Sequence, residues 1–201
     1  MPAPFEIIAA PFVAYYAPLG EAFPAVDAVP AGNWVMIGTS GDESYDPDGV
    51  TVRHSQSVNM ARPLGSTAPV KVFRTEEDLV VAFTIWDVSA EGYRLSVNSN
   101  EVTTVAAGAG TPGTKTLQFY QGAQVATMAL LLRAEVSPYG DDMKMQYELP
   151  YCAMTGNPEA VYRKGEPAGL ALEFNALKDP NAVSKALSFG RLVIQHQVAL
   201  P

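Results

Sequence analysis

The run Leu79–Trp86, LVVAFTIW, limits the choice of fold more than any other segment. Leu79, Val81, Phe83 and Ile85 share one parity, while Val80, Ala82, Thr84 and Trp86 share the other. Eight apolar or β-favouring residues in a row, on both parities, predict a strand buried on both sides. VKVF at 70–73 reads as a partner strand, with RTEED at 74–78 as the acidic turn of a hairpin between them.

The rest of the chain is punctuated in the same way. Strands are predicted at 34–39, 50–58, 115–121, 123–136, 143–149, 168–177 and 190–198. At 143–149, Met143, Met145, Tyr147 and Leu149 alternate with Lys144, Gln146 and Glu148, and parity puts the polar set in water. At 168–177, Leu170, Leu172, Phe174 and Ala176 line one face. Pro and Gly break 59–69, and AAGAGTPGT at 106–114 is a flexible loop. Ser89, with Glu91 in the first turn, caps the one helix the sequence predicts, over roughly 90–98. No internal repeat is present. The expected fold is mainly β: a sandwich or barrel of about eight strands flanked by one short helix, with long loops.

Residues 1–33 have a different character. Pro2, Pro4, Pro11, Pro18, Pro24 and Pro30 forbid a long helix, yet Phe5, Ile7, Ile8, Phe12, Tyr15, Tyr16 and Phe23 are too apolar for a disordered tail. An extended arm packed on its own domain or on a neighbour is expected, leading into a single β domain over 34–201.

Charge and cysteine content exclude several classes. Net charge is −8, and residues 1–52 hold seven acidic side chains and no basic one. That balance opposes direct gripping of nucleic acid or of an anionic membrane. The apolar start lacks a basic n-region, and no apolar run approaches a ~20-residue membrane span. Cys152 is the only cysteine, so a disulfide framework or thiolate cluster cannot form, and a buried thiol in a cytosolically made protein is expected.

Three motifs approach chemistry and miss it. Aligning Gly49 with the invariant glycine of a calcium loop places Asp46 and Asp48 correctly, but puts Ser44 first and Ser55 twelfth, where carboxylates are needed. Gly108 and Gly113 have phosphate-loop spacing, but Thr114-Lys115 reverses the required order. Cys152 has only His54 and His196 as possible bases, neither with a local signature. No catalytic residue, cofactor or metal ligand is assigned, and no enzymatic activity is expected.

Particular residues do carry a likeness. Asp48-Gly49-Val50 enters a polar strand containing His54-Ser55-Gln56, and Gly65-Ser66-Thr67-Ala68-Pro69-Val70-Lys71 precedes Phe73-Arg74-Thr75-Glu76-Glu77. A helix beginning near Asp87 holds Glu91 and Tyr93 and ends near Asn98. FNALKDP at 174–180 and FGRLVIQ at 189–195 complete the pattern. In these features the chain resembles siphophage-type major tail tube proteins over about half its length. The resemblance implies a structural virion protein, made in the host cytoplasm and located in the tail, whose copies form stacked hexameric rings. It implies a tape measure protein, tail terminator and distal tail proteins as partners, with DNA passing through the lumen unbound. The tube of a gene transfer agent or secretion machine shares the plan. A monomeric β-sandwich binding module is the alternative from another class.

For contacts between subunits the sequence offers the 59–69 loop. Met60, Arg62, Pro63 and Leu64 combine residue types enriched at interfaces with a turn that exposes them.

Overall fold

The computed structural model describes residues 8 and 10–198; Pro2, Pro4, Phe5 and Ile7 of the expected arm lie outside that range. The strands are β1 (Phe12–Ala17), β2 (Val35–Met36), β3 (Thr51–Ala61), β4 (Lys71–Ile85), β5 (Val102–Val105) and β6 (Thr114–Leu117). They continue as β7 (Thr127–Ala134), β8 (Met145–Met154), β9 (Ala160–Val161), β10 (Gly169–Ala176) and β11 (Arg191–Ile194), and the one α-helical turn among the described residues is α1 (Ala90–Tyr93). One nine-stranded sheet runs β2-β1-β7-β8-β10-β4-β3, with β11 against β8 and β9 against β10; β5 and β6 pair separately. Every strand pairing is antiparallel. The architecture is mainly β and consistent with a sandwich.

Alternation explains the main core. Leu170, Leu172 and Phe174 of β10 meet Val81, Phe83 and Ile85 of β4, together with Leu130 and Leu132 of β7 and Leu149 and Cys152 of β8. The Phe83 and Phe174 rings stack at 6.1 Å, and Tyr45 joins them 5.2 Å from Phe83. The Tyr45 hydroxyl donates to the Ile37 carbonyl at 2.8 Å and accepts from the Ala14 amide at 3.0 Å, closing a gap beside β1.

The strand buried on both faces is β7, not Leu79–Trp86. Ala129 and Leu131 form a second cluster with Ala17 and Trp34, against which Phe23 and Tyr15 pack. On the second face of Leu79–Trp86, by contrast, only Val80 is buried, while Ala82 and Thr84 are half-buried and Trp86 is exposed. Thus 12–17 is an interior sheet strand, and 22–34 covers the back of β7.

That cover overturns the expectation that Gln146 and Glu148 face water. Both are buried, with Arg133 beside them. Arg133 donates to Gln146 Oε1 and to the Ala25 and Ala28 carbonyls. Gln146 donates to the Pro24 carbonyl at 2.9 Å and to Glu148 at 2.6 Å, and Arg191 of β11 donates to Glu148 at 2.6 Å. The relay ties 24–28 to β7, β8 and β11. Gly190 lets β11 approach: its φ is +121°, and a Cβ there would lie 2.9 Å from the Glu148 carbonyl oxygen.

Other boundaries shift for local reasons. The turn expected at 74–78 does not exist: β4 runs unbroken from Lys71 to Ile85 and pairs with β3, with a register shift at Ser57/Val58. The chain reverses at 62–70 instead. Ser89 caps α1 through the Gly92 amide, as expected, but the helix tightens to a 3-10 turn at Arg94–Val97 and ends at left-handed Asn98. Asn98 then donates to the Gln121 and Gln124 carbonyls and accepts from the Ala126 amide, while Asn100 donates to the Gln118 and Tyr120 carbonyls. These five bonds occupy the backbone of 118–126, which is why the strands expected at 115–121 and 123–136 contract to β6 and β7.

Burial also sets an alkaline limit. Desolvation pushes the Cys152 thiol up to about 12 and raises the Tyr45 phenol above its ordinary 10.0. Both groups stay protonated in the fold at a pH where the unfolded chain ionises. Their contribution is complete below the unfolded values near 9 and 10 and is lost as pH rises towards the folded ones. Stability is therefore expected to fall by up to about 1.4 kcal/mol per pH unit above pH 9 for Cys152, with Tyr45 adding above pH 10. Urea denaturation at pH 8 to 11 measures this slope, and Cys152→Ala should flatten it between pH 9 and 10.

Candidate assembly surface

Strand β4 pairs with β10 only from Val80 to Ile85, whereas β3 accompanies it through to Lys71. Beyond Leu79 the two strands continue as a ribbon whose residues are exposed on both faces. At roughly 3.3 Å per residue, the stretch from Thr51 to Ala61 is about 30 Å long. Leu79 is the last buried residue on β4 towards the tip, and 53–61 and 70–78 are exposed throughout.

The register sorts the ribbon into two faces. His54 and Leu79, Gln56 and Glu77, Val58 and Arg74, and Met60 and Val72 continue the core face outward. Asn59 and Phe73, and Ala61 and Lys71, lie on the other. Polar bonds stiffen the middle: Arg74 donates to Gln56 at 2.8 Å, Ser57 donates to Glu76 at 2.8 Å and Thr75 donates to the Ser57 carbonyl at 3.1 Å. This is the work that Glu76 and its neighbours do in place of a turn. The distal third is apolar, with Val58, Met60, Leu64, Val70, Val72 and Phe73 all exposed, and the Lys71 ammonium lies 5.0 Å from the Phe73 ring centre.

The four residues singled out from the sequence fall here. Met60 is on the last rung but one, paired with Val72; Arg62, Pro63 and Leu64 open the reversal, with Leu64 fully exposed. Val58, Val70, Val72 and Phe73, which the sequence marks as strand residues but not as contact residues, are exposed beside them. An isolated two-stranded ribbon is marginal in water, and an open edge such as that of β3 invites pairing. Exposed apolar residues on such an element mark an interaction surface.

Where the ribbon leaves the body, it forms one wall of a cleft of about 670 Å³. His54, Glu77 and Leu79 face Tyr147, Phe189 and Leu192 across it. Cys152 is buried, with its Sγ 3.2 Å from the Met128 carbonyl, and its raised pKa keeps it a thiol. Among the described residues no group of three or more His, Cys, Asp or Glu is placed to hold a metal. No helix there is long and apolar enough to cross a membrane.

Comparison with solved structures gives likenesses at low sequence identity. The chain is similar to a chain from the tail of an empty GTA particle with C6 symmetry. The TM-score is 0.41 at 8% identity, covering 92% of this chain and 95% of the other. No family model matches the sequence, and no curated protein matches it.

Proposed function

We propose that this chain is a structural subunit that assembles with copies of itself into a tube, as the major tail tube protein of a phage-type tail. The exposed β3–β4 ribbon carries the reading: its apolar tip and open edge lack cover in a single copy. Met60, Arg62, Pro63 and Leu64 make the contact between subunits. Copies close into hexameric rings that stack, and the lumen holds a tape measure protein and then conducts DNA. A net charge of −8 suits passage without adhesion, since a basic lumen would hold phosphates with steep salt dependence. Terminator and distal tail proteins cap the two ends, and the assembled chain resides in the virion tail. The sequence resemblance, carried by ribbon residues and by 87–98, 174–180 and 189–195 outside it, supports this reading too.

Light scattering of the purified protein over a concentration series tests it. Scattering mass rising well above the 21.4 kDa of one chain is expected. A constant 21.4 kDa up to millimolar concentration would favour a monomeric binding module instead.

A further inference from the structure

The outer face of the body sheet is uncovered at the root of the ribbon. Ala82 and Thr84 of β4 lie there beside Glu173 and Ala171 of β10, in register. Thr51 of β3 extends the row. Together with Asp46, Asp48 and the 155–157 turn they line a trough of about 430 Å³. Its floor consists of small side chains and its rim of carboxylates. Asp46 is fixed in place, accepting from the Trp86 indole at 3.1 Å and from the Asp48 amide at 2.9 Å. Glu173 has Arg53 at 3.8 Å, across an exposed gap.

The ribbon tip has the opposite character. Between Val58 and Phe73 the chain holds Arg62 and Lys71 and no acidic residue, and Arg74 comes next. On one copy the trough and the tip sit at opposite ends of the same two strands, about 30 Å apart by strand rise. A bonded ribbon cannot fold back over that distance to reach its own root, so a cationic, apolar tip and an anionic, shallow trough can meet only between molecules.

We propose that the tip of one copy docks into the Asp46–Asp48–Glu173 trough of the next. The proposal rests on the self-assembly reading and adds the receiving surface to it. Arg62 and Lys71 meet the rim carboxylates, and Leu64 and Phe73 lie over the Ala82–Ala171 floor. Donor and acceptor are different patches, so the contact is heterologous and each copy offers one of each. Such a contact propagates as a ring or a stack.

Charge reversal tests it, with Asp46 left intact because it is bonded to Trp86. One variant carries Asp48→Lys and Glu173→Lys, a second carries Arg62→Glu and Lys71→Glu, and a third carries all four. Sedimentation velocity gives the assembly state and circular dichroism the fold. Each two-site variant is expected to stay folded and to need roughly a hundredfold more protein to assemble, since like charges across a contact oppose it strongly. Mixed in equal amounts, the two are expected to assemble in alternation, because the wild-type tip of one meets the wild-type trough of the other and the reversed tip meets the reversed trough. The four-site variant is expected to recover assembly. Normal assembly of the trough variant, beside a blocked tip variant, would overturn the proposal. It would leave the trough to another occupant, such as a basic segment of a different protein, while self-assembly through the ribbon stands. Failure of the four-site variant to recover would also overturn it. A wild-type chain that never assembles would remove the underlying reading as well.

Discussion

Glu148→Ala is expected to cost about 3–5 kcal/mol of folding stability, the usual effect of removing one partner from a buried charged network. Glu148 is 3% exposed, and accepts from both Gln146 and Arg191. Without it, Gln146 loses an acceptor and the buried Arg133 loses the nearby negative charge. Arg133 already carries a desolvation penalty that lowers its pKa, offset in part by Glu135, Tyr15, Asp27 and Glu148. The loss is a large share of the ~5–15 kcal/mol that holds a typical domain together. It should be felt first at 24–28, whose carbonyls the relay holds. Trp34 reports on this region: it is buried and its indole donates to the Ala22 carbonyl at 2.9 Å. A red shift of its emission below the main unfolding transition is expected, with Trp86→Phe as background to isolate the signal. Glu148→Gln keeps the shape and one acceptor oxygen, while its NH2 group faces a donor at the other position, and should lose less than Ala. An Ala variant as stable as wild type would show that the relay does not hold this segment.

The second large effect falls on assembly rather than folding. Arg62→Glu combined with Leu64→Glu is expected to abolish polymer formation with the melting temperature unchanged within a few degrees. Both residues lie on the exposed reversal of the ribbon, touching nothing that folding requires. Exposed substitutions of this kind shift stability by about 0.5 kcal/mol or less. At an interface they remove an apolar anchor and place two carboxylates where a cation was. Tubes of normal length and yield from this variant would remove the ribbon tip from the contact.

The features legible in the sequence are those set by local forces. The alternation of Leu170, Leu172 and Phe174 recorded a one-sided core, and β10 is where it pointed. Ser89 announced its helix because a cap acts over three residues. Gln146 and Glu148 misled because their partners, Pro24 and Arg191, lie far away in sequence, so buried polar side chains looked like wet ones. Val80, Ala82 and Thr84 carried no mark of whether another layer covers them. The same ambiguity affected the candidate surface. Glu76, Glu77 and Asp78 are polar enough for a turn, yet a ribbon open on both faces is equally tolerant of charge. The reversal at Arg62–Leu64 was legible from Pro63 and Gly65; the depth of the ribbon behind it was not.

Negative-stain electron microscopy of the purified chain, over rising concentration and at low and moderate salt, tests the central claim most directly. Rings or hollow tubes of uniform bore that lengthen with concentration are expected. Single compact particles under every condition, with no rings at any concentration, would contradict it.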